Sequence, residues 1–186
     1  LNAIHGKLDQ ILGAEGAYLD RYYICPHHPH KGFAGEVSEL KIACNCRKPK
    51  TGMIDQAVDD LFVSRRKSWM IGDSTTDIRC GKLSGLRTIL VRTGYAGADK
   101  KFPLERPDFI FPNLASSIDW IINGYSAVAR KIVPIVSENI NARLVLVGGI
   151  SRSGKTSIAQ VLSDQFELVG RRSHIISLDG WLKVVS

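Results

Sequence analysis

The sequence predicts an α/β protein built on a parallel, doubly wound sheet. Three observations carry that expectation. Short apolar runs at 68–71 (SWMI), 88–91 (TILV) and 108–111 (DFIF) read as strands, helical periodicity fills the stretches beside them, and a Gly-Asp-Ser turn follows the first run directly. Strands that alternate with helices in this way pair in parallel, because the helix carries the chain back to the same end of the sheet.

The elements follow in order. Leu1, Ile4, Leu8, Ile11 and Leu12 keep helical spacing from the first residue, so a domain is already under way and the chain is expected to be a fragment. Residues 17–24 (AYLDRYYI) are aromatic and aliphatic enough for a strand, which runs into the loop sequence Cys-Pro-His-His-Pro. Residues 26–50 are rich in Pro, Gly, Cys, His and Lys without periodicity, a loop long enough to need something that holds it. Ile54, Ala57, Val58 and Leu61 mark a helix, and a further helix covers 76–83. A helix over 114–122 and a helical connector over 124–142 come next, with Pro134 expected to break or kink the connector. Then 143–147 (RLVLV) reads as a buried strand, 148–154 as a loop, 155–166 as a helix and 174–178 (HIISL) as a second strand.

Composition narrows the classes. The 186 residues are 44% hydrophobic and 23% charged, which suits a folded globular chain and argues against disorder. No apolar run approaches the length of a membrane helix and no leader pattern opens the chain, so a cytoplasmic protein without a membrane partner is expected. Lys and Arg number 25 against 18 Asp and Glu, a net charge of +7. The basic residues are scattered, with small clusters at 47–50, 65–67 and 171–172 and no stripe interleaved with aromatics, so nucleic acid is disfavoured as a partner.

Three of the four cysteines share one segment: Cys25-x-His27, sixteen intervening residues, then Cys44-x-Cys46. Two close pairs flanking a loop can supply the four S or N ligands that zinc takes tetrahedrally, and such a site would fold the loop without a hydrophobic core. A disulfide or unrelated buried cysteines is the plainer alternative, and His28 and His30 compete as ligands. Cys80 lies alone at an apolar helix position and reads as core.

Directly after Cys46 comes Arg47-Lys48-Pro49, and twenty-five residues beyond Lys48 comes Gly72-Asp73 with Asp77 following. Loops at the carboxyl ends of parallel strands form the ligand crevice of an open sheet, where Asp73 would lie. A carboxylate there can hold magnesium, and a fixed lysine can offset charge on a transferring phosphoryl group. The plainer reading makes Asp73 a helix cap and Asp77 a first-turn acid.

Together, YYICPHHP, CNCRKPKTGMI, MIGDSTTDIRCG and TILVRTGYAG resemble the haloacid dehalogenase (HAD) superfamily over residues 1–125. Within it the likeness is to the zinc-containing D-glycero-D-manno-heptose 1,7-bisphosphate phosphatases and their histidinol-phosphatase relatives. The resemblance implies a Rossmann-like core and a magnesium-dependent phosphatase acting on a small phosphorylated metabolite such as heptose bisphosphate or a histidinol phosphate-like compound. It further implies that Cys25, His27, Cys44 and Cys46 hold a structural zinc, that Lys48 stabilises the phosphorylated intermediate and that Arg47 contacts substrate phosphate. Asp73 matches the magnesium-binding acid and Asp77 its downstream partner. The family's nucleophile sits in an Asp-x-Asp motif, and no Asp-x-Asp occurs in these residues; Asp59-Asp60 is adjacent and does not fit. The nucleophile and the second-motif Ser or Thr are expected upstream of Leu1, and the chain by itself is expected to have no phosphatase turnover.

Gly149-Ile-Ser151-Arg-Ser153-Gly154-Lys155-Thr156 satisfies the phosphate-loop pattern between an expected strand and helix. Backbone N–H groups of Gly149, Ser151, Ser153, Gly154 and Ser157 would face the phosphates of ATP, Lys155 would reach the outer ones and Thr156 would ligate magnesium. LVLVGGISRSGKTS followed by HIISLDGWL resembles the uridine kinase and phosphoribulokinase-like P-loop kinases, in which an acid after the second strand contacts the acceptor. That acid maps to Asp179, whose plainer reading is an Asp-Gly turn.

The expected organisation is therefore an N-terminally truncated HAD-like phosphatase domain with a zinc loop over 1–123, a helical linker over 124–142 and the beginning of a truncated P-loop NTPase α/β unit over 143–186. Two alternatives differ in class: a kinase joined to a catalytically silent, zinc-stabilised module, and a polynucleotide end-processing phosphatase and kinase.

Overall fold

The computed structural model describes residues 1–32, 34–149 and 154–176. The chain divides into two compact units: Leu1–Ser68 with Arg79–Leu86, and Trp69–Ile78 with the described residues from Arg87 onward. No helix among the described residues is long and apolar enough to cross a membrane.

In the first unit, helix α1 (Asn2–Ala14) forms where the apolar spacing predicts it. It ends as Gly16 takes a left-handed conformation at φ 72°, which lets the Ala17 N–H reach back to the Leu12 carbonyl at 2.9 Å. Tyr22 stacks on His5 of this helix with ring centroids 4.2 Å apart, and its hydroxyl donates to Asp9 at 2.6 Å. Among its described residues the long loop contains only a short 3-10 turn at Ser38–Leu40 before helix α2 (Gly52–Leu61). Arg65 then donates to Asp55 of α2 at 2.7 Å and to the Ser84 carbonyl at 3.2 Å.

In the second unit, strands β1 (Trp69–Gly72), β2 (Arg87–Val91) and β3 (Phe109–Phe111) form a parallel sheet in the order β1-β2-β3. Trp69 pairs with Arg87 and Ile89 with Phe109. Helix α3 (Thr75–Leu83) connects β1 to β2 and stops at Gly85 in the left-handed region. Asp108 clamps the entry to β3 by accepting both the Thr88 N–H at 2.7 Å and the Thr88 hydroxyl at 2.8 Å.

Helix α4 (Leu114–Asp119), capped by the Asn113 side chain on the Ser116 N–H, passes through a wider π-helical turn at Trp120–Tyr125 into helix α5 (Ser126–Glu138). The wide turn suits its residues, because any side chain at Gly124 would run into the Trp120 ring. Helix α5 is not broken at Pro134; Ile132 and Val136, on either side of the proline, are buried in the core and hold the helix through it. Helix α6 (Lys155–Leu168) contributes Val161 and Phe166 to that same core, together with Ile89, Val91 and Phe109 of the sheet.

Three expected strands are corrected. Residues 17–24, 143–147 and the described part of 174–178 form no strand. An extended run becomes a strand only when a neighbour completes its ladder of hydrogen bonds, and none of the three is paired among the described residues. Their apolar side chains stay exposed accordingly: Tyr18, Leu144 and Leu146 keep 82%, 74% and 79% of their surface. The parallel α/β sheet is present, but the strand-helix-strand of the expected P-loop unit is reduced, among the described residues, to its helix α6.

Candidate functional site

In the first unit the Cys25–His27 and Cys44–Cys46 pairs converge. One ligand atom from each of Cys25, His27, Cys44 and Cys46 lies within 4.8 Å of the others. Cys46 Sγ is 3.1 Å from Cys25 Sγ and 3.2 Å from Cys44 Sγ, Cys25 and Cys44 are 3.5 Å apart, and His27 Nδ1 is 3.3 Å from Cys46 Sγ. A tetrahedron of Zn–S bonds of about 2.3 Å has edges of about 3.8 Å, so a small opening of the cluster admits the ion. The donor set of three thiols and one imidazole fits zinc. His28 and His30 are outside the cluster; the His28 ring turns to the His30 carbonyl at 3.2 Å.

Electrostatics within the cluster are uneven. Partial burial pushes the Cys44 thiol up, but hydrogen bonds from Cys46, the Arg47 backbone, Cys25 and His27 outweigh it and bring it to about 6. Cys46, which donates to Cys25 and Cys44, is pushed the other way. The cluster thus favours the thiolate at Cys44 over Cys46.

The segment that leaves this cluster carries the basic residues. Arg47 donates through Nη1 to the His27 carbonyl at 2.9 Å, so the cluster's own backbone holds its guanidinium. Lys48 is exposed. Lys50 donates to the Cys44 carbonyl at 2.8 Å, and the Gly52 N–H donates to the Asn45 carbonyl at 3.0 Å. Gly52 is required there, because a Cβ would stand 2.6 Å from that carbonyl oxygen. Cys80, 1% exposed, donates to the Lys50 carbonyl at 3.3 Å, which agrees with its reading as core.

In the second unit Asp73 follows β1 at its carboxyl end. Its Oδ2 accepts the Tyr95 N–H at 2.8 Å and its backbone carbonyl accepts the Gly97 N–H at 2.8 Å. Gly94, at φ 65°, passes so close that any side chain there would collide with the Asp73 carboxylate. A half-buried carboxylate at this end of a parallel sheet suits a hard cation such as magnesium. Asp77, 5% exposed, accepts the Ser74 hydroxyl at 2.7 Å and the Ser74 N–H at 3.2 Å, a capping arrangement at the start of α3.

Asp99 is a residue that the sequence pattern does not single out. It accepts the Thr75 N–H at 2.7 Å, the Thr75 hydroxyl at 2.8 Å and the Thr76 hydroxyl at 3.3 Å. Burial pushes its carboxyl up, but these hydrogen bonds prevail and hold it below the usual carboxylate range. The only signal in the sequence is the pair of threonines, Thr75 and Thr76, that opens the helix.

Of the phosphate-loop residues, Gly154 stands at the N-cap of α6 with φ 80°, and Lys155, Thr156 and Ser157 form its first turn. Gly149, the first residue of the loop, has φ 155°, while Ser151, Ser153 and Asp179 lie outside the described residues.

Residues 45–117 match the HAD-hydrolase-like family model. The chain is 43% identical over 82 residues to the D-glycero-beta-D-manno-heptose-1,7-bisphosphate 7-phosphatase of Haemophilus ducreyi, covering 44% of this chain and 42% of that protein. It is 32% identical over 126 residues to the enzyme of the same name from Escherichia coli K12, covering 67% of this chain and 57% of that one. It is 34% identical over 125 residues to the D-glycero-D-manno-heptose-1,7-bisphosphate 7-phosphatase of Thermosynechococcus vestitus, covering 65% and 63%. Among solved structures it resembles the D,D-heptose 1,7-bisphosphate phosphatase of B. bronchiseptica complexed with magnesium and phosphate, at a TM-score of 0.53 and 26% identity, covering 66% of this chain and 63% of that one. The chain thus spans between 42% and 63% of the length of these relatives. Residues 45–117 are thus similar to HAD-like hydrolases, and the chain to part of the heptose-bisphosphate phosphatases.

Proposed function

We propose that the HAD-like domain belongs to a magnesium-dependent phosphatase that acts on a small sugar phosphate of the heptose bisphosphate kind, with a structural zinc in the Cys25, His27, Cys44 and Cys46 cluster. The observation that carries this reading is the Asp73 carboxylate at the carboxyl end of β1, held by the Tyr95 N–H, within the segment that matches the HAD family. Magnesium, when bound there, neutralises phosphate charge. Lys48 and Arg47 supply cationic contacts to phosphate, the arginine held by the His27 carbonyl. Asp77 supports the turn by capping α3.

The relatives' substrate supports the sugar-phosphate class, and magnesium with phosphate in the B. bronchiseptica enzyme supports the cation. Because no Asp-x-Asp occurs in these residues, binding tests the reading more directly than turnover does. Calorimetry of the 186-residue chain with heptose bisphosphate is expected to show magnesium-dependent binding that Asp73→Ala and Lys48→Ala each weaken by about tenfold or more, the scale of one lost charge-assisted contact. Binding indifferent to magnesium and to both substitutions overturns the reading.

The kinase half of the expectation rests on the phosphate-loop pattern and on α6 opening at Lys155. The backbone at 143–147, which pairs with no strand among the described residues, speaks against its central strand. Saturable ATP binding lost in Lys155→Ala would support it; no binding would remove it.

A further inference from the structure

We propose that Asp99 is a positioning residue that fixes the Asp73 carboxylate for its divalent cation, an inference that rests on the magnesium reading above. Asp73 is held from one side by a single loop: the Tyr95 N–H on its carboxylate and the Gly97 N–H on its carbonyl. From the other side it is continuous with the first turn of α3. Asp99 joins the two. It belongs to the loop, two residues past Gly97, and it takes three hydrogen bonds from Thr75 and Thr76 at the helix start.

The Thr75 hydroxyl that donates to Asp99 also accepts the Phe102 N–H at 3.1 Å, so the far side of the loop is tied to the same point. The loop needs such a tie. Gly94, Ala96, Gly97 and Lys100 all have positive φ, at 65°, 52°, 81° and 48°, and Ala96 and Lys100 hold that conformation against their side chains. An untethered loop would relax from these angles and withdraw both N–H groups from Asp73. Its anionic charge at the amino end of α3 also matches the helix dipole, which makes Asp99 a better tether than a neutral acceptor.

The test uses Mn2+ as the probe on the 186-residue chain, with free ion followed by electron paramagnetic resonance and amide exchange followed at Tyr95 and Gly97. Asp99→Ala is expected to weaken Mn2+ about ten- to a hundredfold, the range for partners that orient a metal ligand, with Asp99→Asn between it and the wild type. Asp99→Ala also exposes the Tyr95 and Gly97 amides. Asp108→Ala is the control, because it breaks the Thr88 clamp at the other end of the strands and lowers stability without touching the loop. It is expected to leave Mn2+ affinity and both amides unchanged.

Mn2+ affinity in Asp99→Ala that equals the wild type overturns the inference, as does an equal loss in Asp108→Ala. If the wild type binds no Mn2+ in an Asp73-dependent way, the magnesium reading fails by itself. The amides then decide alone: exposure confined to Asp99→Ala upholds the tether, and retained protection overturns it.

Discussion

Arg87 Nε donates to Asp164 Oδ2 at 2.6 Å, joining the first residue of β2 to the middle of α6 across 77 positions of sequence. The two side chains keep only 13% and 9% of their surface. Tyr125 donates its hydroxyl to the same oxygen at 2.8 Å, Gln160 donates to the other at 3.2 Å, and the guanidinium lies over the Trp69 and Tyr125 rings at 5.3 and 4.8 Å. Both charges are therefore desolvated and satisfied together.

Removing one partner should leave the other charge buried and uncompensated. Asp164→Ala and Arg87→Ala are each expected to cost about 3–5 kcal/mol in urea unfolding, while Arg87→Met with Asp164→Leu recovers most of that loss. A single substitution within experimental error of the wild type would show that water reaches the pair.

Gly94→Ala and Gly85→Ala place the same methyl on left-handed backbone with different surroundings. Gly85 faces open space, whereas a Cβ at Gly94 meets the Asp73 carboxylate. Gly85→Ala is expected to cost about 1 kcal/mol for its φ alone, and Gly94→Ala about 1–3 kcal/mol more together with loss of Mn2+ affinity. Chemical denaturation and Mn2+ titration check both parts.

Zinc should bind at one equivalent per chain, because the four donor atoms already lie within 4.8 Å of one another. Elemental analysis of gently purified protein checks this, and clearly substoichiometric metal counts against it. Cys44→Ser is expected to abolish stoichiometric zinc and to loosen Arg47 with it, since the His27 carbonyl holds that guanidinium.

Acid should destabilise the fold through Asp55 and Asp99. Arg65 and Thr51 hold Asp55 low against the pull of burial, and the threonine hydrogen bonds hold Asp99 low against the same pull. A carboxyl depressed in the folded state stabilises above its unfolded value near 4 and loses that contribution as pH falls through the folded value. Melting temperature is thus expected to fall below pH 4, and the slope to flatten in Asp55→Asn and Asp99→Asn; an unchanged slope in both rejects the assignment.

The sheet was legible because its strands are short apolar runs bounded by Gly72 and Gly85, and α2 and α3 because their periodicity is local. The cysteine cluster was legible for a related reason: two pairs with one-residue spacing point to a shared centre whatever the loop between them does. Residues 17–24 and 143–147 have equally strand-like compositions, yet β propensity describes only how well a residue suits a sheet and does not supply a neighbour. Pro134 does not break helix α5, since burial of Ile132 and Val136 outweighs the hydrogen bond that proline removes.

By itself the sequence determined the parallel α/β class, the cysteine-histidine cluster, the Arg47-Lys48 pair and the aspartate at the end of β1, all features written in local spacing. Tertiary structure decided that Asp99 ties a loop to Thr75 across 24 positions and that Arg87 pairs with Asp164 across 77. Those contacts depend on where the backbone returns after each crossover, and hydrogen bonds between residues so far apart leave no periodicity to read.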